Sequence, residues 1–108
     1  MEKNLELSLL CDIYGSLLSQ KQREALDLYY NEDLSLSEIA LQVGISRQGV
    51  RDQIKHGEKL LLEFEENLGL LKKQSKLESI ITDAEQLNKD LSSDRLSEIC
   101  ENLKHIFE

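Results

Sequence analysis

Residues 35–54 read Ser35-Leu-Ser-Glu-Ile-Ala-Leu-Gln-Val-Gly-Ile-Ser-Arg-Gln-Gly-Val-Arg-Asp-Gln-Ile54, and this stretch leaves few choices of fold. Ser35 followed three residues later by Glu38 is a capping-box pattern, which opens a short helix. Gly44 enters the left-handed region without a Cβ penalty, so that helix stops and the chain turns. Ser46 then caps a second helix. Ile39, Val43, Ile45, Val50 and Ile54 wedge the two helices together, and Ala40 is small where the second helix crosses closely. Short helix, glycine turn, serine cap and second helix predict a helix-turn-helix over residues 35–59.

The rest of the chain agrees with an all-α fold. The 108 residues include no Pro and 5 Gly, and runs of alternating β-branched residues are absent. A first helix is predicted over residues 2–18, with Leu5, Leu9, Leu10, Ile13, Tyr14, Leu17 and Leu18 on one face. Ser19 and Gln22 form another capping box, opening a helix to about Tyr30 that buries Ala25, Leu26, Leu28 and Tyr29. The helix after Ser46 keeps Val50, Ile54, Leu61, Phe64 and Leu68 inward and ends at Gly69. Residues 70–108 are then expected to form a helical hairpin. Leu77, Ile80, Ala84, Leu87 and Leu91 step by three and four like a coiled-coil seam. Ser92-Ser93 breaks the chain, and Leu96, Ile99, Cys100, Leu103, Ile106 and Phe107 mark a last helix. The expected division is residues 1–69 and residues 70–108. The seam serves either the hairpin's own core or a homodimer.

The function classes narrow in step. No Ser-His-Asp, Cys-His or paired-carboxylate arrangement can be assembled, so no catalytic residues and no cofactor are expected. His56 and His105 stand alone, and Cys11 and Cys100 lack metal-ligand spacing. No apolar run reaches the roughly 20 residues of a bilayer span, and residues 1–6 do not resemble a signal peptide. A cytoplasmic protein without membrane insertion is expected.

Arg47, Arg51, Lys55 and Lys59 recur every four residues along the second helix of the motif, forming one basic stripe. Ser46 and the first backbone N–H groups suit a phosphate. Arg47 and Gln48 suit base edges, Arg for guanine and Gln for adenine. The candidate nucleic-acid contacts are therefore Ser46, Arg47, Gln48, Arg51, Lys55 and Lys59. Two features oppose them. The net charge is -8, whereas nucleic-acid binders usually show a basic face. Asp52, Glu58 and Glu63 also stand about one turn from the stripe, so a charge-paired surface or a protein-binding one is the competing reading. Any binding would be weak and salt-sensitive unless a dimer doubles the contacts.

Two resemblances rest on these residues. Leu18-Ser-Gln-Lys-Gln-Arg-Glu-Ala-Leu-Asp-Leu-Tyr-Tyr30, Leu34-Ser-Leu-Ser-Glu-Ile-Ala40 and Gly44-Ile-Ser-Arg-Gln-Gly-Val-Arg51 resemble region 4 of bacterial sigma factors. That resemblance implies a sigma-region-4-like helix-turn-helix bundle, whose second motif helix reads promoter DNA. One departure is Gln53, where an apolar residue is usual; Ile54 follows it. Ile45-Ser-Arg-Gln-Gly-Val-Arg-Asp-Gln-Ile-Lys55, Glu58-Lys-Leu-Leu61 and Glu66-Asn-Leu-Gly-Leu70 are similar to the YlxM family of small helix-turn-helix proteins. Genes of that family neighbour those of the signal recognition particle GTPases. The resemblance therefore implies a regulatory protein in protein targeting, with that particle's RNA or proteins as partners. The alternative is a protein-interaction module that modulates the GTPases without touching DNA. Gly49 and Arg51 stand where the family would have Ala and an aromatic residue.

Overall fold

The structure, a computed structural model, describes residues 3–106. Glu2, in the predicted first helix, and Phe107, in the predicted last one, lie outside the described residues. The described chain is all-α: α1 (Leu5–Tyr14), a 3₁₀ turn (Gly15–Leu17), α2 (Gln20–Tyr30), α3 (Leu36–Val43), α4 (Arg47–Leu68), α5 (Leu70–Leu91) and α6 (Asp94–Lys104). It divides into two compact units, one ending at Gly69 and one beginning at Leu70.

Local chemistry sets the helix ends of the first unit. Asn4 caps α1 by accepting the Glu6 N–H at 2.8 Å. The helix is shorter than predicted. It tightens into a 3₁₀ turn at Gly15, a weak helix former, because Leu18 must be extended to present Ser19 as the next cap. Both predicted capping boxes are closed. Ser19 Oγ accepts the Gln22 N–H and Gln22 Oε1 accepts the Ser19 N–H. Ser35 and Glu38 exchange the same pair of bonds at 3.1 Å each. Gly44 at φ +75° and Gly69 at φ +63° end α3 and α4 in the left-handed conformation.

The core of this unit lies where α1, α2 and α3 meet α4. Leu10, Tyr14, Leu26, Ile39, Val50, Ile54 and Leu61 are almost fully enclosed. Gly57 permits the close approach of α2 to α4, since a Cβ there would lie 2.6 Å from Leu26 Cδ1. Tyr14 donates to Glu65 Oε1 at 2.7 Å, with its ring 5.8 Å from that of Phe64. Three predicted core positions of the first helix, Leu5, Leu9 and Leu17, are exposed, as is Leu68 of α4. A helix flanked on one side buries only a narrow stripe.

The second unit is a hairpin. Ser92 turns the chain at φ +49° and Ser93 caps α6 through the Leu96 N–H at 3.2 Å. Asn88 holds the turn: its amide donates to Ser93 O and Ser97 Oγ, and its carbonyl accepts the Ser93 N–H. The seam differs from the predicted one. Ile81, not Ile80, is buried, while Ile80, Leu87 and Leu91 are exposed. Leu77 has an apolar residue both three and four positions on, and the α6 contact selects the second.

Candidate nucleic-acid interface

Gly44 turns the chain so that Ile45 and Ser46 lead into α4, whose first residue is Arg47. Ile39, Val50 and Ile54 lie completely buried at this junction, and Ala40 and Val43 are half-buried. Ile45 departs from its expected role: it is 45% exposed. Its side chain lies over the first turn of α4 rather than between the helices, since a Cβ at Gly49 would meet Ile45 Cδ1 at 3.4 Å. Gln53, the departure from the sigma pattern, is half-buried and lines a small cavity with Ala25, Val43 and Ile45.

The candidate contact residues lie at the start of α4 and along it, without sharing one face. Ser46, Arg47, Gln48, Arg51, Lys55 and Lys59 are all exposed. Ser46 Oγ accepts the Gly49 N–H at 2.9 Å, so one lone pair of its hydroxyl is engaged as a cap while its proton is left to donate to an anion. Among the described residues, none of Arg47, Arg51, Lys55 and Lys59 is in an ion pair. The carboxylates one turn away do not neutralise them. Asp52 accepts from Gln48 Nε2 at 2.9 Å. Glu58 points inward, nearly buried, and accepts from Tyr30 Oη at 2.5 Å. Burial, then the Glu58 contact, push the Tyr30 phenol well above its ordinary range.

Four residues advance a helix by 400°, so the stripe rotates by about 40° per step and by about 120° from Arg47 to Lys59. Arg47 and Arg51 share a face at the helix start, and Lys59 stands well round from them. Arg47 also borders a depression of about 360 Å³ at the start of α3, together with Lys3, Tyr29, Asp33 and Ser35. Lys3 pairs with Asp33 and stands over the Tyr29 ring at 4.7 Å. The Lys3 ammonium holds the Asp33 carboxyl below its usual range. Sequence patterning did not single out Lys3, because its neighbours Asp33 and Tyr29 lie about 30 residues away in the chain.

The opposite character prevails between α1 and α2. A concave surface of about 510 Å³ there carries Asp12, Glu24 and Asp27 against Arg23 and includes no residue of the stripe. Half-buried Cys11 lies in its wall, and burial, followed by Asp12, Glu58 and Asp27, pushes its thiol up to about 11.

A family profile described as "Putative helix-turn-helix protein, YlxM / p13 like", the UPF0122 family, matches residues 1–104. The chain belongs to this family. It is similar to a UPF0122 protein of Clostridium kluyveri, 43% identical over 105 residues, covering 97% of this chain and 95% of the relative. A UPF0122 protein of Halalkalibacterium halodurans is 42% identical over 104 residues, 95% of either chain. One of Bacillus cereus is 44% identical over 98 residues, covering 84% of this chain and 89% of the relative. No described helix is long and apolar enough to cross a membrane.

Proposed function

We propose that this chain is a helix-turn-helix regulatory protein that binds nucleic acid through the start of α4. By its family resemblance, we place it in the signal recognition particle pathway, with DNA or that particle's RNA as the ligand. The observation that carries the reading is the exposed pair Arg47 and Arg51, in no ion pair among the described residues, on the first turns of a helix capped by Ser46. Guanidinium groups one turn apart repel each other slightly and suit successive phosphates or a phosphate and a guanine edge. Gln48 donates to Asp52 through Nε2, which leaves its other amide hydrogen and its carbonyl oxygen for a base edge.

The ligand is polyanionic and the protein carries net charge -8, so binding is weak and falls steeply with salt. A titration of duplex DNA and of signal-recognition-particle RNA at two salt concentrations tests this. Replacing both Arg47 and Arg51 by Ala should weaken binding about 10- to 100-fold and flatten the salt dependence by nearly two phosphate contacts. Lys55→Ala should have a smaller effect and Lys59→Ala the smallest, because the stripe rotates away. Unchanged affinities in the double variant would overturn the assignment.

A second reading has its own observation. Leu41 on α3 is 86% exposed and Ile45 on the turn is 45% exposed, both beside the motif. Apolar side chains there suit a protein partner, such as the particle's GTPases. Binding that survives the double arginine substitution but is lost in Leu41→Lys favours that reading.

A further inference from the structure

The hairpin from Leu70 onward has two apolar rows, and its own packing uses only one. Ile81 and Cys100 are buried, and Leu77, Ala84, Leu96 and Leu103 are half-buried with them. Ile80, Leu87 and Leu91 on α5, Ile99 on α6 and Ile106 just beyond it are 45 to 61% exposed. Each exposed residue within a helix follows an inward-facing one by three: Leu77 to Ile80, Ala84 to Leu87, Asn88 to Leu91, Leu96 to Ile99. Three residues rotate a helix by 300°, which is 60° backwards. The two helices are antiparallel, since Asn88 bonds Ser97 near the turn and Glu85 bonds Lys104 farther from it. In an antiparallel pair the same backward rotation carries both rows to the same side. The other side holds the Lys104 pairs with Glu85 and Glu101. The hairpin is thus a slab with one apolar side and one charged side.

We propose that a second copy of the same hairpin covers the apolar side, with α5 antiparallel to its counterpart, forming a four-helix dimer. Three features point to a second copy. Two helices enclose little core of their own, and small units of this kind lean on disulfides, metals or association. Within the unit its two helices pack on each other, its described cysteine is a free thiol, and no described cluster could hold a metal. The exposed residues Ile80, Leu87 and Leu91, with half-buried Ala84 at the edge of their row, have spacings four, three and four, which read the same in both directions. An antiparallel copy therefore sets Ile80 against Leu91 and small Ala84 against large Leu87, twice over, as an isologous contact requires. Ile99 lies at the level of that two-fold axis, judged from the Glu85–Lys104 and Asn88–Ser97 bonds, and meets its own counterpart.

The rim of the row carries Asp83 and Asp90, three positions beyond Ile80 and Leu87. In the antiparallel pair these carboxylates approach each other across the interface. Added salt screens them and tightens the dimer, opposite to its effect on nucleic-acid binding, so the two readings fail separately.

Light scattering and sedimentation of the full chain test the proposal. The mass should rise from 12.4 kDa toward twice that value with concentration, and at lower concentration when salt is high. Leu87→Lys should stay monomeric with an unchanged helical circular dichroism spectrum, while Leu41→Lys, on α3, should dimerise like the parent. If Leu87→Lys loses helix, cysteine pairing decides. Ile80→Cys mixed with Leu91→Cys should form an intermolecular disulfide several-fold faster than either variant alone, against the parent's baseline. A concentration-independent monomer mass, a dimer that persists in folded Leu87→Lys, or no preference in the cysteine mixture would overturn it.

Discussion

From Leu10 to Leu61, four helices aim their apolar stripes at one centre, and α4 is covered along much of its length by α1, α2 and α3. From Leu70 onward α5 and α6 pack on each other, and Ile81 and Cys100 are the buried apolar side chains of that unit among the described residues. The sequences are comparably rich in Leu and Ile, so the difference is one of neighbours rather than composition. A helix with several neighbours can hide a wide stripe, whereas one with a single neighbour hides a narrow one. The hairpin therefore keeps an apolar row exposed, while the start of α4 exposes Arg47 and Arg51.

Side-chain truncation should break the comparison most visibly. Ile54→Ala should destabilise the first unit by about 2–5 kcal/mol, because the site is fully enclosed and cannot collapse. Leu87→Ala, on the exposed row, should cost under about 1 kcal/mol in the monomer while weakening self-association. Thermal and urea unfolding at dilute concentration measure both. Equal losses would show that the hairpin's outer row is core after all.

A smaller effect should come from the buried carboxylate of Glu58. Tyr30→Phe leaves Glu58 nearly buried without its 2.5 Å donor. An unsatisfied buried acceptor costs about 1–3 kcal/mol. Urea unfolding at neutral pH reads the loss, and Glu58→Gln should partly restore the double variant by removing the charge. A loss near zero in Tyr30→Phe would mean that water reaches Glu58.

The parts that the sequence revealed are those written in consecutive residues. Ser19 with Gln22, Ser35 with Glu38, the Ser46 cap, and the glycines at 44 and 69 each specify a helix end within four residues. The helix-turn-helix and the hairpin turn at Ser92-Ser93 follow from them. What stayed hidden depends on partners far along the chain. Glu58 looks like a surface acid until Tyr30 arrives from α2, and Gly57 looks like a weak spot until Leu26 needs the space. The hairpin seam failed for a different reason. Ile80 and Ile81 are both apolar, so periodicity cannot choose between them, and polar Asn88 occupies the inward position because it ties the turn. For the candidate interface, spacing revealed the stripe, but only the folded chain shows that Asp52 and Glu58 are engaged elsewhere.

The thiol of Cys11 gives a pH-dependent contrast with the hairpin. Its folded-state value is pushed up to about 11, above that of the unfolded chain. The folded state therefore holds the proton more tightly. Stability is fully present below the ordinary thiol value and is lost as pH rises through about 9 toward 11. Solvent reaches the half-buried site, so the loss should be about 1 kcal/mol rather than the full linkage value. Unfolding of the parent and of Cys11→Ala between pH 8 and 10, below most tyrosine titration, should show a steeper decline in the parent. Parallel curves would place Cys11 in a wetter site.

The smallest effect expected is at the start of α4, and the hairpin supplies its sign. Gly49 is the third residue of α4, and its N–H caps onto Ser46 Oγ at 2.9 Å. A Cβ there would meet that oxygen at 3.1 Å and Ile45 Cδ1 at 3.4 Å. The α6 cap has the same geometry with a large side chain in place: Ser93 Oγ holds the Leu96 N–H at 3.2 Å. The cap therefore tolerates a Cβ by lengthening slightly, and exposed Ile45 can rotate away. Alanine also favours the helix over glycine by up to about 1 kcal/mol. Gly49→Ala should stabilise the protein by about 0.5 kcal/mol, whereas Ser46→Ala should destabilise it by about 1 kcal/mol. Measured singly and together, the two substitutions should be nearly additive if the cap survives. A destabilised Gly49→Ala that recovers in the Ser46→Ala background would instead show that the glycine is required to keep this cap.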